Sequence, residues 1–103
     1  MNSLTVVERE AAASEVSVTE DELIVSLVDG RRISVPLAWY PRLLHGTMEE
    51  RNEYELMGRG TGIHWPKLDE DLSVSGLLKG NPSFESEKSL QRWLDQRAGR
   101  PHE

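Results

Sequence analysis

Gly60-Thr61-Gly62-Ile63-His64-Trp65-Pro66-Lys67-Leu68-Asp69-Glu70-Asp71-Leu72-Ser73 reads as a turn, a strand, a second turn and the start of a helix. Gly58, Gly60 and Gly62 space a tight loop, because glycine adopts backbone conformations that other residues avoid. Ile63-His64-Trp65 is a short strand, stopped by Pro66, which has no N–H to donate. Asp69-Glu70-Asp71 reads as a polar turn, with Ser73 capping a short helix through Leu77-Leu78 and Gly80 just past its end.

On the N-terminal side, Glu15-Val16-Ser17-Val18 alternates and Thr19-Glu20-Asp21-Glu22 supplies a polar turn. Leu23-Ile24-Val25-Ser26-Leu27 follows as a strand rich in branched residues. Asp29-Gly30 is a strong hairpin signal, and Arg31-Arg32-Ile33-Ser34-Val35 returns with Ile33 and Val35 on one face. Pro36 ends that strand. Leu37, Tyr40, Leu43 and Leu44 keep helical spacing, with Pro41 in the first turn of a helix starting near Trp39 and Gly46 ending it. Thr47 and Glu50 make a capping box for a second short helix over about 48–53. Tyr54-Glu55-Leu56-Met57 alternates as a last strand before the glycines.

After the linker Asn81-Pro82-Ser83, Ser86 caps a run with Leu90, Trp93 and Leu94 on one stripe. That helix is too short to stand alone in water, so it is expected to dock on the rest of the chain. The pattern predicts an α+β fold, a small antiparallel sheet packed with short helices and a C-terminal helix. Residues 1–14 show no periodicity and are expected to form a mobile arm, residues 15–80 the domain, and residues 81–103 the linker and docked helix.

The chain of 103 residues has 37% hydrophobic residues, enough for one modest core. It has no cysteine, which excludes disulfides and thiolate metal sites. The start lacks the basic and apolar segments of a signal peptide, so a cytoplasmic protein with no membrane association is expected. Its net charge of −6 is concentrated at one end: residues 1–30 hold seven acids and one base, whereas the remainder is balanced. Direct nucleic-acid binding is disfavoured, because phosphate contacts need a basic stripe. A small basic partner protein is the better electrostatic match.

Candidate partner-binding residues are Trp39 and Tyr40, as interface-type aromatics, and Asp69, Glu70 and Asp71, as acceptors for arginines. Arg59, His64 and Trp65 form the alternative, a ligand-sensing or enzymatic loop over Gly58 to Asp71. The duller readings are a half-buried structural histidine, core tryptophans and a solvated acidic turn. Gly58-Arg59-Gly60-Thr61-Gly62 looks like a phosphate loop, but Ile63-His64-Trp65-Pro66 is a poor helix start to follow one. No clear nucleophile accompanies His64, and His45, His64 and His102 are too scattered for a metal site. No catalytic residue, metal or cofactor is therefore expected. An unpaired sheet edge would permit a homodimer.

Two blocks also carry a family resemblance. Ser34-Val35-Pro36-Leu37-Ala38-Trp39-Tyr40-Pro41-Arg42-Leu43 and Gly62 through Leu78 resemble the bacterial family called domain of unknown function 2442. The resemblance spans about residues 16–80. Lys67 and Ser75 sit where members often carry glutamate. It implies an α+β domain with no established enzyme activity. Some members precede a DNA-binding helix-turn-helix, which implies a regulatory role as a transcriptional regulator component. Others are encoded beside a second small protein in the manner of toxin–antitoxin pairs, which implies an antitoxin-like partner.

Overall fold

The computed structural model describes residues 11–99. Six strands and four helices follow in the order β1 Ala13–Val18, β2 Glu22–Leu27, β3 Arg32–Pro36, α1 Pro41–Leu44, α2 Met48–Asn52, β4 Glu55–Met57, β5 Gly62–Trp65, β6 Glu70–Ser73, α3 Val74–Leu78 and α4 Glu87–Arg97. The fold is α+β, as the pattern predicts. The later strands do not extend the first hairpin but form a second sheet. Both sheets are antiparallel meanders, β1-β2-β3 and β4-β5-β6.

Strict alternation sets the first sheet. Leu23, Val25 and Leu27 turn inward from β2, opposite Val16 and Val18 of β1 and Val35 of β3. Ala13 joins that buried face because the register shifts between Ala13 and Glu15, a bulge that absorbs Ser14. The arm expected over residues 1–14 lies outside the described residues up to residue 10, while Ala13 and Ser14 belong to β1. At the β2–β3 turn only Gly30 has positive φ, at 98°. Its N–H donates to Leu27 O, and Leu27 N–H donates to Arg31 O, so the loop is a turn closed by a left-handed glycine.

The helical segment obeys its caps. A 3-10 turn covers Leu37–Trp39, and α1 begins after it, with Pro41 in the first turn. Thr47 and Glu50 form the expected reciprocal box, with Glu50 N to Thr47 Oγ1 at 3.1 Å and Thr47 N to Glu50 Oε1 at 2.8 Å. Arg51 is buried and turns its guanidinium onto the Leu43 and Leu44 carbonyls, satisfying the open end of α1. Its own carbonyl accepts the Trp65 indole N–H at 3.0 Å. The largest core side chains, Trp65, Tyr40, Leu23, Leu37 and Leu43, lie between the sheets and these helices.

Two close approaches hold the sheets together. Tyr54 Oη accepts Val16 N–H, which occupies a donor on the β1 edge. Gly60 passes so near Ala13 that a Cβ there would lie 2.5 Å from Ala13 O. Meanwhile α4 seats Trp93 between two guanidiniums, Arg42 at 5.1 Å and Arg97 at 4.7 Å from the ring centre. Arg42 is paired to Glu85 and Arg97 to Glu50, so both stacked cations are also ion-paired. Leu90 and Leu94 pack beside Trp93 against the core, the stripe that the spacing predicts.

Candidate functional site

Strand β6 divides the acidic triplet. Asp69 ends the preceding turn with φ 52°, while Glu70 and Asp71 are strand residues, so the polar turn expected over all three is confined to Asp69. The strand begins there because Leu72 needs to reach the core side and pairs with Ile63, which fixes the register. Alternation then sends Glu70 and Leu72 inward and Asp71 and Ser73 outward. Glu70 pairs with Trp65, and Asp71 with His64.

The three carboxylates consequently do three different things. Asp69 offers its carbonyl and one oxygen to Arg42, and its side chain is otherwise exposed. Asp71 meets His64, with Nδ1 2.5 Å from Oδ1 on the outer face of the second sheet. Glu70 turns toward the interior beside Tyr40. Burial is the first cause that lifts its carboxyl to about 7, opposed by the Asp71 backbone N–H and the charge of Arg42. Arg42 acts on it only through its charge, because the guanidinium itself is bonded to Glu85, whose carboxyl it keeps below the usual range.

Glu70 opens onto a concave pocket of about 290 Å³. Tyr40, Asp71, Leu77, Asn81, Pro82 and Phe84 are among its walls. The Tyr40 ring is buried and donates its hydroxyl to Asn81 O, while Ser83 N–H donates to Trp39 O. These two bonds strap the segment after α3 across the Trp39-Tyr40 corner and leave Phe84 86% exposed at the rim. Trp39 itself is 37% exposed. Of the partner-binding candidates, Tyr40, Glu70 and Asp71 thus line one pocket, Trp39 anchors its strap, and Asp69 points elsewhere.

Arg59, His64 and Trp65 are not brought together. Trp65 is fully buried, on the opposite side of β5 from His64. Arg59 holds positive φ in the glycine turn and lines a separate cleft with Asp29 and Arg31. An imidazole oriented by a carboxylate is half of a nucleophile-activating relay. The flanking hydroxyls are engaged locally, Thr61 Oγ1 donating to Gly58 O and Ser73 Oγ accepting from Gly76 N–H. Among the described residues no three His, Asp or Glu side chains gather as a metal site, and no helix is long and apolar enough to cross a membrane.

Phe84 is the residue that pattern reading missed. Its signal was its chemistry: a single phenylalanine placed in a Pro-Ser-Phe-Glu connection, outside every periodic segment.

Comparison with known proteins adds the family. No curated protein matches the chain. A crystal structure of a protein of unknown function from Rhodospirillum rubrum ATCC 11170 is similar, with a TM-score of 0.63 and 27% identity, covering 80% of this chain and 99% of that one. The solution NMR structure of an uncharacterised protein from Chromobacterium violaceum has a TM-score of 0.61 and 24% identity, over 79% of this chain and 74% of that one; it speaks for the fold alone. The family model described as "Protein of unknown function (DUF2442)" matches residues 13–83. That span holds both sheets, the strap and the pocket up to Ser83, and the chain belongs to this DUF2442 family.

Proposed function

We propose that this chain is a non-enzymatic protein-interaction module. Its binding face is the pocket bordered by Glu70, Asp71 and Phe84, and its partner is a small basic protein, in an antitoxin-like pairing. One observation carries the reading: a solvent-exposed phenylalanine stands at the rim of a pocket whose wall includes a partly buried carboxylate. Exposed aromatic rings beside a concavity are common anchors at protein interfaces. The acidic N-terminal third of the sequence would add long-range attraction for a basic partner.

Co-expression with the product of the neighbouring gene, followed by size-exclusion chromatography with light scattering, tests this. A stoichiometric complex that is weakened by Phe84→Ala is expected. A chain that elutes alone at unchanged mass would refute the pairing.

The ligand-sensing alternative keeps one supporting feature, the half-exposed His64 oriented by Asp71. It lacks a convergent pocket, since Trp65 and Arg59 lie apart from that imidazole.

A further inference from the structure

We infer that the pocket receives a single arginine side chain of the partner, with Glu70 as its counter-ion and the Phe84 ring as the surface on which its guanidinium stacks. The inference rests on the interaction-module reading and names what that module recognises.

Four observations converge. A volume of about 290 Å³ suits one long side chain and not a folded element. Glu70 is the only acid turned inward from β6, as its pairing with the buried Trp65 requires. The rim ring is mostly in solvent, so a planar cation can lie on its face without displacing a neighbour. The Tyr40 hydroxyl proton is committed to Asn81 O and the Asp71 carboxylate to His64, leaving Glu70 as the lining carboxylate without a side-chain ion pair in hand.

The charged groups facing Glu70 are Arg42 from α1, Glu85 from the segment before α4, and Asp71 from its own strand. Arg42 is already ion-paired with Glu85, so these leave the region short of positive charge. The Glu70 carboxyl loses its proton near pH 7, and only the ionised form is a counter-ion. An arriving guanidinium favours that form, so binding releases a proton. Affinity should climb as pH rises through about 7 and level off above it.

The test uses the full chain labelled with ¹⁵N and two short capped peptides, Gly-Arg-Gly and its neutral counterpart Gly-citrulline-Gly. The arginine peptide should shift the amides of Glu70, Asp71, Asn81 and Phe84, and citrulline should not. Glu70→Gln should weaken that binding by about tenfold, the scale of a lost charge-assisted contact. The rise in affinity between pH 5.5 and pH 8 should vanish in Glu70→Gln and survive in His64→Gln, which separates Glu70 from the His64–Asp71 pair behind it. Equal shifts from both peptides, or none at these amides, would overturn the inference. Should the partner still bind while arginine does not, the anchor falls and the module reading stands. Arginine binding without any partner complex would remove the module reading instead.

Discussion

Trp65 and Glu70 are cross-strand partners on the core side of β5 and β6. Paired residues of an antiparallel ladder share a face, so the burial that suits the indole is imposed on the carboxylate. Ile63 and Leu72 fill the next pair of that face. A glutamate at the end of an apolar row costs stability unless a cation reaches it. The pocket is where one would.

The Glu70 carboxyl is raised from an ordinary 4.5 to about 7 in the folded chain. Between those values the native state holds a proton that the unfolded state has lost. Stability therefore falls as pH climbs from 4.5 to about 7, and the full cost stands above 7. Glu70→Gln should stabilise the protein at pH 8 by about 1 kcal/mol, a figure reduced for the solvent that enters the pocket. The gain should shrink toward zero at pH 5. Urea unfolding at the two pH values checks it, and an equal gain at both would contradict it.

Glu50 behaves in the opposite sense. Its carboxylate accepts Arg97 at 3.0 and 2.7 Å and the Thr47 N–H at 2.8 Å, and these bonds, Arg97 first, hold it at about 2. Its contribution is present above 4.5 and is lost as pH falls toward 2. Glu50→Ala removes half of a capping box and the partner of a ring-stacked arginine, and should cost about 1–2 kcal/mol. Hydrogen exchange should accelerate along α4 and α2 before it does in the first sheet.

Two glycines make a controlled pair. Gly60 and Gly80 both have positive φ, at 91° and 76°. A Cβ on Gly80 meets nothing within 4 Å, whereas one on Gly60 would collide with the Ala13 backbone. Gly80→Ala should cost only the strain of the left-handed conformation, about 1–2 kcal/mol. Gly60→Ala adds a clash that forces the sheets apart, and should cost roughly 3 kcal/mol or more. Comparable denaturation midpoints for the two variants would argue against Gly60 as the point where the sheets meet.

Local chemistry made much of this architecture readable. Alternation fixed the first hairpin, side-chain caps placed α2, α3 and α4, and the Leu90-Trp93-Leu94 stripe identified the docked face of the last helix. Long-range geometry was not readable in the same way. The glycine turn after Met57 is local and pairs β4 with β5, but nothing local says that this hairpin stands apart from the first sheet or that Gly60 packs on Ala13 across the fold. The acidic triplet looked like a solvated turn because sequence cannot say which residue of a polar run takes the left-handed position; Asp69 does, and the strand starts one residue later. Nothing in the local sequence marks Arg51 as buried; the open carbonyls of α1, which it reaches only in the fold, draw it into the interior.

Phe84 separates binding from folding. Its ring is exposed and absent from the core cluster, so Phe84→Ala should change stability by less than about 0.5 kcal/mol. Thermal melts of the variant and the parent should superimpose. A large loss would mean that the ring packs on the chain itself and does not wait for a partner.

The most direct measurement is titration calorimetry of the purified chain with the product of its neighbouring gene, the proposed partner, using the parent, Phe84→Ala and Glu70→Gln. A one-to-one complex is expected with the parent at pH 8, with affinity reduced at least tenfold in each variant and both variants folded. Undiminished affinity in both variants, or no heat of binding with the parent, would contradict it.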